Sequence, residues 1–321
     1  QCAFQDCEKL EKVALPSTVS RIGQDAFYNC GSLQEMQIPE GVVQIGSSLF
    51  DGCTNLKSVK LPDSITSISS YAFYNCANLI ELVLPAKLKE IGNDAFSGCK
   101  SLTKLDIPET VTSIGSSAFS GCSGLTGITI PDGVAQVGSS AFSGCSALTS
   151  VNIPKGLVRI NFNTFLNCSG LIEVVIPNGV LSIESSAFSG CSGLESVSIP
   201  DSVTSIGWDA FSGCSGLTNV TIPNSVTSIG AGAFSGCTVL TGATILGKIT
   251  ELKQKTFYNC PSLESVTLPD GLLEIGGPTP GGSGYGAFGN CSSLKEIVLP
   301  DSVTSIAPRA FENCSSLVSI R

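Results

Sequence analysis

The residue type with the most reactive side chain in this sequence is cysteine, with 15 copies, whereas histidine is absent. Fourteen cysteines recur at one place in a repeated unit, twelve of them every 23 residues from Cys7 to Cys260, followed by Cys291 and Cys314. Zinc sites place paired ligands a few residues apart and usually add histidine or a second cysteine pair. The column therefore predicts small apolar core side chains. Occasional disulfides between neighbouring units and a metal site are the alternatives, and Cys2, which is out of register, is available to pair with Cys7 or with a second molecule.

The remaining side chains do not form a recognisable catalytic motif. A nucleophilic cysteine needs a base to generate its thiolate, and there is no histidine to act as one. The chain has no G-x-S-x-G elbow, P-loop lysine or G-x-G-x-x-G after a strand. We predict that the protein is not an enzyme and uses no cofactor. Seven units have an acidic residue after a proline, which we interpret as turn chemistry with a calcium-binding rim as the alternative: Glu40, Asp63, Glu109, Asp132, Asp201, Asp270 and Asp301.

The unit that positions the cysteines is C-x-x-L-x-x-[IV]-x-[IL]-P-x-x-[VL]-x-x-I-G-x-x-A-F-x-x, and a period of this length is typical of a solenoid. Its first part has the alternation of a short strand, with inward side chains such as Leu125, Ile128 and Ile130. A Pro-Asp-Gly turn follows, and a second apolar pair then returns to the core. In the Cys122 unit this apolar pair is Val134 and Val137. The segment S-S-A-F-S-G-C then forms at most one helical turn, in which Phe142 and Cys145 point inward.

Stacking of these units predicts a mostly β solenoid with short helical turns and one parallel sheet of about fourteen short strands. We expect a single curved, elongated domain over residues 1–321, with residues 277–286 forming a loop inserted into one unit. Neither end resembles a capping unit, so a segment of a longer protein is expected. The longest apolar runs are only a few residues, well short of the ~18 that a transmembrane helix needs.

The L-x-x-[IV]-x-[IL]-P…I-G-x-x-A-F-x-x-C unit resembles the BspA-like leucine-rich repeat family over essentially the whole chain. The resemblance implies a leucine-rich repeat solenoid on a secreted or surface-anchored protein of mucosal bacteria or parasitic protists. It also implies adhesion to host matrix proteins, host cells or other microbes, and no catalytic residues. Leu246 and Gly247 replace the usual Pro-x pair, which places that individual turn, but not the fold, in question.

The expected partner is a host or microbial surface protein, matrix protein or glycan, at an extracellular or cell-surface location. The net charge of −9 argues against nucleic acid. Outward strand positions between residues 35 and 106 mix charges and amides, whereas those of residues 196–267 are nearly all Ser, Thr, Asn and Gly. The first patch predicts a ligand-binding surface, with a merely solvated sheet face as the alternative. The candidate binding residues are Glu35, Gln37, Lys60, Glu81, Lys104, Asp106 and, in the insertion, Tyr285.

Three alternatives to this hypothesis concern the same features. The array Thr221, Thr244 and Thr267 is compatible with a flat ice-binding surface, although threonine also simply favours strands. The insertion is either a binding loop or a tolerated addition. A structural spacer, which holds another domain away from the cell surface, is the competing function, because near-identical units need no binding face.

Overall fold

The computed structural model of this protein describes residues 1–276 and 284–321. The chain divides into two compact units, Gln1–Leu157 and Val158–Arg321. The single-domain organisation stays a prediction. No residue of the described ranges is helical, so no helix in them could span a membrane.

The first unit contains ten short strands. In chain order they are β1 Glu35–Gln37, β2 Gln44–Ile45, β3 Ser58–Lys60, β4 Ser67–Ile68, β5 Glu90–Ile91, β6 Lys104–Asp106, β7 Ser113–Ile114, β8 Gly127–Thr129, β9 Gln136–Val137 and β10 Ser150–Val151. They form two series, each of which pairs in parallel with the equivalent strand of the next coil. The first series pairs β1 with β3, and β6, β8 and β10 in that order, while the second series runs β2-β4-β5-β7-β9.

The second unit repeats this plan. Its strands are β11 Arg159–Ile160, β12 Glu173–Val175, β13 Ser182–Ile183, β14 Ser196–Ser198, β15 Ser205–Ile206, β16 Asn219–Ile222, β17 Ser228–Ile229, β18 Gly242–Ile245, β19 Glu251–Lys253, β20 Ser265–Thr267, β21 Glu274–Gly276, β22 Glu296–Ile297, β23 Ser305–Ile306 and β24 Ser319–Ile320. The first series pairs β12 with β14, β16-β18-β20, and β22 with β24. The second series runs β11-β13-β15-β17 and β19-β21-β23.

The predicted solenoid of parallel strands is therefore confirmed, and the structure adds a second strand series. We number coil positions from the in-register cysteine, so that Cys122 is position 1 of its coil. Positions 6–8 form the first strand, and the turn after it closes through a 3.0 Å bond from the Val134 amide to the Pro131 carbonyl. The second apolar pair, expected only to contact the core, ends in the two-residue strand β9. Up to two strands per coil, in several sheets, replace the one sheet that was predicted.

The segment expected to form a helical turn is instead a third side of the coil. The amides of Ser117, Phe119 and Gly121 each donate to a carbonyl of the following coil, at 2.7–2.8 Å. Ser117 and Gly121 have φ of 54° and 69°, so left-handed residues recur four positions apart along this side. Because these amides are satisfied between coils, no i→i−4 helical bonds form. We call the outward residues of this side, at positions 18, 19, 22 and 23, the turn face.

The core lies between the three sides of each coil. The predicted inward residues of the Cys122 coil are buried, with Leu125 and Phe142 fully so and Ile128 only 6% exposed, which confirms their assignment. Within each unit the phenylalanines form a stack, and neighbouring ring centroids of the first unit lie 5.1–5.7 Å apart. Close stacking of coils also explains the turn glycine, because a Cβ on Gly138 would clash with the Ser116 amide nitrogen of the preceding coil.

The cysteine column has a hydrogen-bonding role that the sequence pattern did not indicate. The thiol of Cys122 donates to the carbonyl of Phe96, which belongs to the preceding layer, at 3.1 Å, and eleven further thiols make the equivalent bond. The amide of Cys99 donates to the same Phe96 carbonyl at 3.1 Å, so the Cys122 thiol satisfies the second lone pair of the carbonyl oxygen. These thiols are hydrogen-bonded and are not joined in disulfides, and Cys7 is exposed because it belongs to the first coil.

Candidate functional site

The first-series strands place alternate residues on an outward strand face, which we define as positions 6 and 8 of each coil. β1 pairs with β3 so that Glu35 lies opposite Ser58 and Gln37 opposite Lys60. A further parallel bridge joins Ser58 to Glu81. Strand alternation buries the residue between these positions and exposes its two neighbours, as Met36 and its flanking residues show. Parallel register therefore brings residues 23 apart in sequence into neighbouring rows.

An open concavity of about 960 Å³ lies on this strand face in the first unit. Four of the seven predicted binding residues line it: Glu35, Gln37, Lys60 and Glu81. Among the described residues, none of its charged groups forms an ion pair within 4.0 Å, so these groups are available to a ligand. The concavity thus combines carboxylates, an amide and an ammonium group on one rigid surface.

Among the other lining residues of the concavity, two outward side chains extend the chemistry of the predicted binding set. Lys12 lines the concavity one coil before Glu35, and Val83 is 84% exposed at the position equivalent to Lys60. The sequence did contain a signal for Val83, because an apolar residue at an outward strand position between charged neighbours indicates a surface contact. Its exposed side chain adds to the apolar lining that the concavity has beside its charged groups.

Lys104 and Asp106 do not line this concavity. They lie two residues apart on β6 and form an ion pair of 3.0 Å, with side chains that are 75% and 80% exposed. An exposed pair of this kind contributes at most about 1 kcal/mol. Each group already has a partner of opposite charge, so the pair offers less to a ligand than the unpaired charges of the concavity.

Tyr285 belongs to the second unit and is not grouped with the other six residues. Its ring meets the Tyr258 ring edge-on at a centroid distance of 4.9 Å, and the Lys255 ammonium lies 4.1 Å from its centroid. It remains 46% exposed. Most of the predicted insertion, residues 277–283, lies outside the described residues, and the role of residues 277–286 as a loop insertion stays a prediction.

The other candidate chemistries have local explanations in the structure. The Asp132 carboxylate accepts bonds from the Lys155 ammonium at 2.7 Å and from its amide, and these contacts lower the pKa of Asp132. No group of three or more potential metal ligands occurs within residues 1–276 and 284–321. Burial raises the pKa of the Cys53 thiol to about 12, so the thiol stays protonated and is a poor nucleophile at neutral pH.

A smaller concavity, of about 420 Å³, lies on the strand face of the second unit. It includes Asp201, Asn219 and Thr221 and is flanked by Leu246, which is 45% exposed where other coils have proline. The threonines predicted as an array are direct neighbours, Thr221 opposite Thr244 and Thr244 opposite Thr267. The departure from the repeat at residues 246–247 was visible in the sequence, but its place beside a concavity was not.

Comparison with known proteins places this architecture in a family. Residues 1–103, 89–218, 159–279 and 283–321 match the BspA type leucine rich repeat region. A leucine-rich repeat protein from Bacteroides ovatus is 31% identical, with a TM-score of 0.74 over 89% of this chain and 80% of its own. A leucine rich cell surface protein from Faecalibacterium prausnitzii is 33% identical, with a TM-score of 0.52 over 95% of this chain and 77% of its own.

A leucine-rich repeat protein from Eubacterium ventriosum, at 24% identity and a TM-score of 0.56, shares the fold over 90% of this chain and 84% of its own. No curated protein sequence gives a significant match. The 23-residue unit, the parallel strands of each coil and the match to the family throughout the chain agree. The protein belongs to the BspA-type leucine-rich repeat family.

Proposed function

We propose that the protein is a noncatalytic binding module, displayed at the cell surface or secreted, which presents the strand face of its first unit to a macromolecule. The observation that carries the proposal is the concavity in which Glu35, Lys60 and Glu81 are exposed and unpaired while Val83 adds an apolar contact. Charged groups held on a rigid sheet bind without the entropy cost of ordering a loop. The relative from Faecalibacterium prausnitzii, described as a cell surface protein, supports the location.

The candidate ligands are host or microbial matrix proteins, surface proteins and glycans. The test is an array of matrix proteins and glycans probed with the whole chain, followed by charge reversal at the concavity with Glu35→Lys and Lys60→Glu. Binding should fall by about tenfold or more for each reversal, since a charge-assisted hydrogen bond is exchanged for repulsion. The matched control is Lys104→Glu, outside the concavity, which should change binding by less than about twofold.

A structural spacer remains the second candidate, because the strand face changes character along the chain. Outward positions of β14, β16 and β20 have only Ser, Asn and Thr, which offer no charge to a ligand. If no matrix protein, cell-surface protein or glycan binds the chain, or if the concavity variants bind as the wild type does, the binding proposal is wrong and the spacer is favoured.

A further inference from the structure

The aromatic side chains outside the phenylalanine stack are not distributed evenly. All of them occupy turn-face positions, and the strand face has none. Each is at least partly exposed, with Trp208 reaching 64%. Tyrosine and tryptophan side chains that face solvent are the residue types most often found at binding hot spots. The seven residues are Tyr28, Tyr71, Tyr74, Phe162, Trp208, Tyr258 and Tyr285.

Three of these tyrosines belong to one cluster on the first unit. The Tyr71 and Tyr74 rings meet edge-on at 5.6 Å. Tyr28 occupies the same coil position as Tyr74 two coils earlier, and Asp51 occupies that position in the coil between them. Inter-coil bonds align this column, because the Asn29 amide donates to the Asp51 carbonyl at 2.7 Å. With the carboxylates at position 19 they form what we call the acidic–aromatic patch: Asp25, Tyr28, Asp51, Tyr71, Tyr74 and Asp94.

The charge of this patch is negative and uncompensated by the protein. No lysine or arginine occupies a turn-face position between residues 1 and 121. None of the three carboxylates has an ion-pair partner in the described residues, although all three are partly buried. Burial, and then the charge of Asp25, raises the pKa of Asp51 to about 6. Burial likewise raises the pKa of Asp94, which a hydrogen bond from Tyr71 partly opposes. A cation at this place would relieve these unfavourable charges.

The second unit shows what such a cation does on a turn face. There the ammonium group of Lys255 lies over the ring of Tyr285, at 4.1 Å from its centroid. A cation over a tyrosine ring is attracted by the negative face of the π system. The patch of the first unit offers three tyrosines and three carboxylates without a comparable cation of its own. The missing cation is therefore one that a partner would supply.

We propose that the acidic–aromatic patch is a second binding surface, separate from the strand-face concavity, and that its partner is a polypeptide segment rich in arginine and lysine. Guanidinium groups lie over the tyrosine rings and donate hydrogen bonds to the carboxylates. A neutral glycan would stack on the rings but leave the carboxylates uncompensated, and a nucleic acid would be repelled by them.

The experiment measures fluorescence anisotropy of a labelled deca-arginine peptide with the whole chain, at about 20 mM salt and again near physiological salt. Serine is the reference substitution, because it occupies the same positions in neighbouring coils, for example Ser97 and Ser117. The double variant Tyr71→Ser/Tyr74→Ser should lose about tenfold or more in affinity, and Asp51→Ser about three- to tenfold.

Two matched controls separate the patch from general charge effects. Asp106→Asn removes one negative charge from the strand face, and Tyr258→Ser removes an aromatic from the other turn face. Each should change affinity by less than about twofold. Melting temperatures of all variants show that the fold is retained, and Asp51→Ser removes an unfavourable charge, so a loss of binding there is not a loss of structure.

The proposal is wrong if deca-arginine does not bind at about 20 mM salt. It is also wrong if the controls lose as much affinity as the patch variants, or if a neutral oligosaccharide displaces the peptide. The strand-face proposal is tested independently, because its variants at Glu35 and Lys60 lie on another side of the coil. Failure of one proposal therefore leaves the other in place.

Discussion

The strand face and the turn face of the first unit are built from the same coils and the same core, yet they expose opposite kinds of side chain. The strand face between β1 and β6 has charges of both signs and no aromatic residue. The turn face has tyrosines and carboxylates but no cation. Since both faces are fixed by one set of buried residues, each can change without affecting the other. One repeat can therefore support two unrelated recognition surfaces, and four substitutions test how separate those surfaces are from each other and from the core.

The largest effect is expected from the core that both faces share. Phe119→Ala removes a fully buried ring that stacks at 5.4 Å on Phe96 and at 5.4 Å on Phe142. The cavity and the lost contacts should lower the free energy of unfolding by about 3–5 kcal/mol. Thr129→Ala on the strand face is the control and should change it by less than about 0.5 kcal/mol. Chemical denaturation of both variants is the measurement, and equal losses would overturn the inward and outward assignments.

A smaller loss is expected when the thiol bond between coils is removed. Cys122→Ala leaves the Phe96 carbonyl with one bond instead of two and opens a small void, which should cost about 1–2 kcal/mol. Cys7→Ala removes an exposed thiol and should cost less than about 0.5 kcal/mol. The denaturation midpoints of the two variants give the comparison. A Cys122→Ala variant as stable as the wild type would mean that the thiol only fills space.

The turn face should show a pH dependence that the strand face lacks. The pKa of Asp51 is about 6 in the folded chain and lower in the unfolded chain, so the folded state binds the proton more tightly. Stability is therefore lost as pH rises from 4 through 6. Asp51→Ser should be more stable than the wild type at pH 7, by up to about 1 kcal/mol after solvent screening, and equal to it near pH 4.

Urea denaturation at the two pH values measures this difference, with Asp106→Asn as the control on the strand face. The control should move the midpoint equally little at both pH values, because the Asp106 side chain is largely exposed and its ion-pair partner is an exposed lysine. A destabilised Asp51→Ser variant at pH 7 would show that the carboxylate is not under the strain that its burial implies.

The smallest effect is expected at the exposed ion pair of β6. Lys104→Ala breaks the 3.0 Å pair with Asp106, and both side chains are largely exposed. Stability should change by less than about 0.5 kcal/mol. Thermal denaturation is sufficient to check this. A loss above 1 kcal/mol would show that the strand face contributes to the fold, and the separation between core and surface would then fail.

The sequence predicted the core well because every coil repeats it. Leu125, Ile128 and Phe142 are buried where the pattern placed them, and Thr129 is exposed. The second strand series was missed because its strands have only two residues, as in Gln136–Val137, and two residues show no alternation. The third side was predicted to form a helical turn from its local residue pattern. Its hydrogen bonds run between coils instead, and a local pattern does not contain them.

The candidate site was predicted in part for the same reason. Strand register follows from the repeat, so Glu35, Gln37, Lys60 and Glu81 could be grouped in advance, but the position of the concavity depends on how the neighbouring rows pack. The acidic–aromatic patch was missed because its tyrosines occupy two different coil positions and are interrupted by other residues along each column. No unbroken column marks them, and only the folded coils bring Tyr28, Tyr71 and Tyr74 to one surface.

The buried thiol of each coil also allows the local unfolding of that coil to be measured. Buried thiols such as Cys99 and Cys214 are protonated, hydrogen-bonded and out of reach of alkylating reagents while their coil is closed. When a coil opens, its cysteine becomes reactive, so the labelling rate of that cysteine reports the opening free energy of that coil. With one reporter at regular intervals, pulsed alkylation and peptide mass analysis would give a stability profile along the solenoid without any engineered probe.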